Sequence, residues 1–203
     1  MIPFLQEDAI RGHAEDLLEE YSMIDQLPIR VEILVEKLGL DIVPIHGLRS
    51  GFGADGFLSQ DLCTISVDSS MMQHVATRYH FTLAHELGHF RLHGSIIRQH
   101  LAVGNGHLML WETLDQTDYR RAEIQANMFA SFLLMPSHHI QTTYGQLVDK
   151  LSLAGKTFDD IDEFAKMRAL RACSEAYCVS PEALKIRLTR AKLVQDFEDP
   201  EQQ

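Results

Sequence analysis

The segment His85-Glu86-Leu87-Gly88-His89 sets two imidazoles four residues apart, with a carboxylate beside the first. On a helix, residues at i and i+4 share a face, about 6 Å apart along the axis. Two imidazoles so placed can converge on one metal ion through bonds of about 2.0–2.1 Å. Glu86, turned by about 100° from His85, can reach a water at that ion without being a ligand. This arrangement activates water for hydrolysis: zinc acidifies the water and the carboxylate takes its proton. The chain holds eleven histidines, so the pattern gains weight only from its surroundings. Phe81-Thr82-Leu83-Ala84 and a helical apolar pattern around the motif supply them.

A zinc centre needs a third protein ligand and one open position. His93 continues the four-residue series, but it lies about 12 Å from His85 along a straight helix. The longer H-E-x-x-H-x-x-G-x-x-H pattern also fails, because Leu92 and Ser95 occupy its glycine and last histidine. His93 is therefore expected behind the ligands or as a cap at the helix C-terminus, where the dipole favours its cation. A second strong helix carries Glu123-Ile124-Gln125-Ala126-Asn127-Met128-Phe129-Ala130. Glu123 and Asn127 share a face, and the small Ala126 and Ala130 let this helix approach another closely. Taken alone, Glu123 reads as a solvated surface acid; behind a genuine upstream motif it reads as the third ligand. Asn127 would then orient a ligating imidazole through the ring's other N–H.

These side chains need elements to hold them. The pattern is helical over 71–93, with Gly94 ending it, and again over 119–135, with Pro136 ending it. Upstream, 6–21 reads as a helix burying Ile10, Ala14, Leu17 and Leu18. A second helix starts at Pro28, carries Val31, Leu34, Val35 and Leu38, and stops at Gly39. Residues 40–45 read as a strand, with Pro44 tolerable near an end or on an edge. A glycine-rich turn through Gly51, Gly53 and Gly56 leads to short strands at 57–59 and 63–67. Further helices are expected at 141–152, 159–172 and 181–195, the last started by Ser180-Pro181-Glu182. Residues 94–118, with Gly104, Asn105, Gly106 and Trp111, read as irregular: a functional loop or a cover over the core. The fold class is α+β, mainly helical, with a small antiparallel or mixed three-stranded sheet and a C-terminal helical appendage.

A chain of 203 residues can bury one proper core, with or without a small appendage. The plausible boundary at 150–159 separates a domain over 1–150 from a helical piece over 151–203. The net charge of −11 opposes a general nucleic-acid-binding surface. Cys63, Cys173 and Cys178 are odd in number and lack CxxC spacing, so they read as reduced, packed thiols. No leader pattern and no apolar run of about 18 residues stands out, so a cytoplasmic protein without membrane contact is expected.

The stretch 27–136 resembles the ImmA/IrrE family of metallopeptidases, related to the gluzincins. The matching pieces stand in order. Leu27-Pro28-Ile29 precedes a helix with Glu32, then come Gly39-Leu40 and Gly56-Phe57-Leu58. The block Phe81 through His89 is followed by Leu92-His93, and the Glu123 block runs on to Leu133-Leu134-Met135-Pro136. The resemblance implies one Zn2+ per chain held by His85, His89 and Glu123, with Glu86 catalytic, in a zincin-like domain. It implies an upstream strand that pairs with an extended substrate, for which 63–67 is the expected edge. It further implies an intracellular endopeptidase whose partner is a helix-turn-helix repressor or antitoxin-like regulator, in transcription regulation or stress response. His80 departs from the arginine of many relatives. Two other readings stand beside this one: a toxin–antitoxin component that acts by contact alone, and a DNA-binding regulator. For the latter, Lys185, Arg187, Arg190 and Lys192 make the last helix of a helix-turn-helix-like appendage basic. Against the net negative charge, that face fits packing on acidic surfaces better than direct DNA reading. Tyr79 and Tyr144 are the tyrosines considered for stabilising an oxyanion.

Overall fold

The computed structural model describes residues 1–102 and 114–197, so Gly104, Asn105, Gly106 and Trp111 lie outside the described residues. Helix α1 (Glu7–Glu20) buries Ile10, Ala14, Leu17 and Leu18, the face its periodicity predicts. Helix α2 (Val31–Lys37) begins after Pro28 rather than at it, buries Val31, Leu34 and Val35, and gives way to Gly39 at φ 74°. Strand β1 (Asp41–Ile45) follows. The expected glycine-rich turn is a one-turn helix, α3 (Leu48–Phe52), flanked by Gly47 and Gly53 at φ 71° and 70°. Left-handed backbone at both ends is open to glycine without strain, which lets so short a helix start and stop.

Strands β2 (Gly56–Leu58) and β3 (Thr64–Asp68) pair antiparallel, while β1 pairs parallel with β3. The sheet is therefore mixed, in the order β1-β3-β2. This corrects the expectation that 63–67 offers a free edge. That strand is central, with Ile65, Ser66, Val67 and Asp68 all buried, and the edges are β1 and β2. Its alternating residues reveal a buried face but not the long-range return of β1 to its other side. Pro44 sits on the edge strand β1, where its missing N–H is tolerated.

The expected helix over 71–93 is interrupted and then overruns. Helix α4 (Ser69–His74) is capped by Asp68 and ends at Val75, where φ is −139° and ψ 71°. Helix α5 (Ala76–Gly88) passes into a π-helical turn at His89–His93 and then into α6 (Gly94–Ala102). Gly94, expected as a terminator, is helical at φ −56° and ψ −36°. Glycine within a helix costs only about 1 kcal/mol relative to alanine. Burial of Ile97 on α6 offsets that cost. The first part of the irregular stretch is therefore helix.

Helix α7 (Gln116–Leu134) is capped by Asp115, whose carboxylate accepts from the Asp118 N–H at 2.8 Å. It packs on α5 through one face and on α1 through another. Helices α8 (Ser137–Leu153), α9 (Glu163–Ser174) and α10 (Pro181–Arg190) follow, α10 being capped by Ser180 as expected. One continuous core joins Ile10, Leu83, Phe129 and Leu133 to Leu170, Tyr177, Leu184 and Leu188. Part of the basic character of α10 turns into the protein. Arg187, 3% exposed, donates to the Met135 carbonyl at 3.2 Å and to Ser137 Oγ at 3.1 Å, and lies over the Phe132 ring. Burial brings its pKa down to about 10. Lys185 lies over the Phe197 ring and 3.4 Å from Asp196. Among the described residues no helix is long and apolar enough to cross a membrane.

Candidate metal centre

The site begins with a close helix crossing. A Cβ on Gly88 would stand 3.0 Å from Ala126 Cα and 3.1 Å from its carbonyl oxygen. Only a bare backbone at Gly88 lets α5 and α7 meet at that separation. The crossing brings Glu123, one turn before Ala126, against the two histidines of α5. Glu123 Oε2 lies 3.4 Å from His85 Nε2, and Oε1 lies 3.3 Å from His89 Nε2. The two Nε2 atoms are 3.0 Å apart. Four-coordinate zinc with bonds of about 2.0–2.2 Å sets its ligand atoms about 3.3–3.5 Å from each other. The three donors sit near that spacing, and two imidazoles with one carboxylate form a donor set of hydrolytic zinc centres. The residues fit the metal. A second grouping with metal-holding geometry, Asp25, His138 and His139, lies at the surface. There His139 Nε2 is already bonded to the Ile24 carbonyl at 3.0 Å.

The outer ring nitrogens are also engaged. His85 Nδ1 is 3.1 Å from Asn127 Oδ1, the contact that the shared face of Glu123 and Asn127 predicts. His89 Nδ1 is 3.1 Å from His93 Nδ1, and His93 Nε2 is 2.9 Å from Gln125 Oε1. Gln125 Nε2 donates onward to the Pro3 carbonyl at 2.8 Å. His93 thus stands behind a ligand, as expected, but not as a cation: burial pulls its pKa down to about 4. The dipole argument fails because the helix does not end there; α6 continues it.

Electrostatics at the donors follow from burial and pairing. Burial alone would lift the Glu123 pKa, but the pairing with His85 and His89 outweighs it and holds the carboxyl well below the usual range. Burial likewise pulls the His85 pKa down, yet the Glu123 hydrogen bond and the charges of Glu86 and Glu123 leave it raised. Burial pushes the Glu86 pKa up. Glu86 Oε2 accepts the Leu58 N–H at 2.9 Å, which ties the carboxylate to β2. The β2–β3 ladder includes Ser59 N–H to Thr64 O and Asp68 N–H to Asp55 O, so Gly56 and Leu58 turn their peptide groups away from β3. A Cβ on Gly56 would lie 2.6 Å from Thr82 Cγ2 and 2.8 Å from the Ser66 carbonyl. Glycine there lets β2 press against α5 and bring Leu58 to Glu86.

His85, Glu86, His89, Glu123 and Asn127 open on one cleft of about 880 Å³, which β2, Phe52 and Phe81 also line. Sequence reasoning missed Tyr119 and Phe52, which also line the cleft. Tyr119 stands one turn before Glu123, so Tyr119, Glu123 and Asn127 form a single stripe on α7, and that spacing was the available signal. The charge of Glu123, with burial, raises the Tyr119 pKa and keeps its hydroxyl a donor. Neither Tyr79 nor Tyr144 lines the cleft. Tyr79 is buried, and its pKa is pushed up to about 12. His80 reaches Glu32 of α2 at 3.2 Å and leaves its Nδ1 buried without a partner.

No curated protein matches the chain. The family model described as the IrrE N-terminal-like domain, Peptidase_M78, matches residues 72–189. The match takes in α5 and α7, and it runs past Pro136, where the resemblance in sequence stopped, through α8, α9 and most of α10. With more than half of its length matched, the chain belongs to the Peptidase_M78, or ImmA/IrrE, family.

Proposed function

We propose that the chain is a zinc-dependent endopeptidase that cuts an extended segment of a DNA-binding regulator. Family membership supports a peptidase. The observation that carries the finer reading is the convergence of His85 Nε2, His89 Nε2 and both Glu123 oxygens in the cleft that Glu86 also lines. Held by these three side chains, zinc would supply Lewis acidity and lower the pKa of a water. Glu86 would take the proton of the attacking water and pass it to the leaving amine. A carboxylate whose pKa burial has raised suits both transfers. The Leu58 N–H fixes the direction from which Glu86 acts.

The strand that fits substrate pairing is β2, not 63–67. Its outward peptide groups at Gly56 line the cleft, and an extended peptide can add to such an edge through main-chain hydrogen bonds. Pairing of this kind needs free backbone, so the cut falls in a linker or a locally unfolded stretch. The net charge of −11 favours encounter with a basic partner, as DNA-binding regulators commonly are. The test incubates the zinc-loaded protein with the regulator encoded beside it and maps the products by mass spectrometry. One cut in an exposed segment, slowed by rising salt, is expected. A stable complex with intact regulator would favour action by contact alone, as in a toxin–antitoxin pair.

A further inference from the structure

We infer that Gln125, oriented by the Pro3 carbonyl, is a positioning residue that sets which nitrogen of His89 carries the hydrogen. The inference rests on the metal-ligand reading of His89, and its argument runs inward from the N-terminus. A carbonyl oxygen can only accept, so the Gln125 atom 2.8 Å from Pro3 O is the amide's NH2 end. Oxygen and nitrogen of an amide side chain are assigned by such partners, and here the partner leaves no choice. Gln125 Oε1 therefore faces His93 Nε2 at 2.9 Å and makes that nitrogen the donor. His93 is fully buried, and a neutral ring with its hydrogen on Nε2 presents only a lone pair at Nδ1. His89 Nδ1, 3.1 Å away, must then donate. With that hydrogen on His89 Nδ1, Nε2, which faces Glu123 at 3.3 Å and His85 at 3.0 Å, is the nitrogen left for a metal.

The start of this chain of bonds is itself strapped down. Ile2 is fully buried, its N–H donates to Asp118 at 3.1 Å, and Arg121 donates to its carbonyl at 2.6 Å. Asp118, Arg121 and Gln125 thus grip residues 2 and 3 along one side of α7. The partner of His85 differs: Asn127 is exposed, so water can replace its contact. His89 depends on a dry, fixed relay.

Nitrogen-15 NMR of the ring nitrogens in the metal-free protein tests this without recourse to catalysis. His89 is expected as a single form with hydrogen on Nδ1. Gln125→Met, similar in length but without polar atoms at its end, should give mixed forms. It should also lower zinc affinity, measured by chelator competition, by about 10–100-fold. A His89 Nδ1 without hydrogen in the parent protein would overturn the inference. So would an unchanged Nδ1–H form and unchanged zinc affinity in Gln125→Met. A parent that binds no zinc sinks the peptidase reading instead, while the metal-free spectra still decide the relay.

Discussion

The two walls of the cleft are built to different standards. On the helical wall, α5 and α7 meet backbone to backbone at Gly88 and Ala126, and each histidine is held at its outer nitrogen. The sheet wall consists of the three-residue edge strand β2 and the single turn of α3, which carries Phe52 at 83% exposure. Charge and capping bonds hold it: Asp55 to Arg49 at 2.8 Å, Asp55 to Arg78, and Asp68 to the Arg49 and Ser70 N–H groups. Under the proposed function, the over-determined wall would carry the chemistry and the lightly held one the recognition. Site geometry has to be fixed within about 0.5 Å, whereas binding surfaces tolerate variation on a rigid scaffold. Changes on the helical wall should abolish reaction or folding; changes on the sheet wall should tune binding.

The largest expected effect is at Glu86, the point where the walls touch. Glu86→Gln keeps an oxygen to accept the Leu58 N–H but cannot take a proton. Turnover of a confirmed substrate should fall about 10²–10⁴-fold. Zinc content by elemental analysis and the melting temperature should stay at the parent's values. Parent-like turnover would remove Glu86 from the mechanism. Glu123→Ala, by contrast, should lose the metal itself.

Next is the helix crossing. Gly88→Ala gains about 1 kcal/mol of helix propensity. Its Cβ, however, would press on Ala126 Cα at 3.0 Å, against backbone that cannot rotate away. Overpacking of this kind costs about 1–3 kcal/mol, so net destabilisation in urea is expected. Zinc affinity should fall as well, because α7 moves with Glu123. A variant that is stabilised and binds zinc normally would show that the close approach does not set the ligand geometry.

The same division explains what the sequence made legible. His85, His89, Glu123 and Asn127 meet because two helical periodicities and small residues act locally, and local spacing is what a sequence displays. The central place of β3 was hidden because strand order depends on where β1 returns, and no residue within 63–67 records it. Gly94 was misread as a terminator because its helical backbone is sustained by contacts made further along α6. The Pro3–Gln125 bond spans |i−j| = 122 in sequence and carries no local signal at all. Tyr119 was within reach of the spacing argument and was passed over.

A smaller effect is expected from acid on the sheet wall. Asp68 caps α4 and accepts from Ser70 and from the Arg49 N–H, and these bonds hold its pKa down at about 2, against an ordinary 3.8. A lowered folded-state pKa adds stability above the unfolded value and loses it as pH falls through the folded value. The Asp68 contribution should therefore be complete above about pH 4 and vanish toward pH 2. Asp68→Asn has no charge to lose in that window. The difference in melting temperature between parent and Asp68→Asn should narrow from pH 5 to pH 2; a constant difference would mean that ionisation of Asp68 does not support this wall.

The smallest effect, and the sharpest test of the division between the walls, is at Phe52. Its ring borders the cleft yet is 83% exposed, so truncation removes almost no buried area from the folded protein. Phe52→Ala should leave the melting temperature and zinc content unchanged. A substrate side chain packed on that ring would lose an aromatic contact of about 0.5–1.5 kcal/mol. That corresponds to a rise in KM of roughly 2–13-fold with kcat intact, since the contact is made equally in the ground and transition states. A fall in kcat at constant KM would place Phe52 with the chemistry and erase the distinction. Unchanged kinetics on an extended substrate, with Gly56→Ala also neutral, would mean that the sheet wall does not hold the peptide.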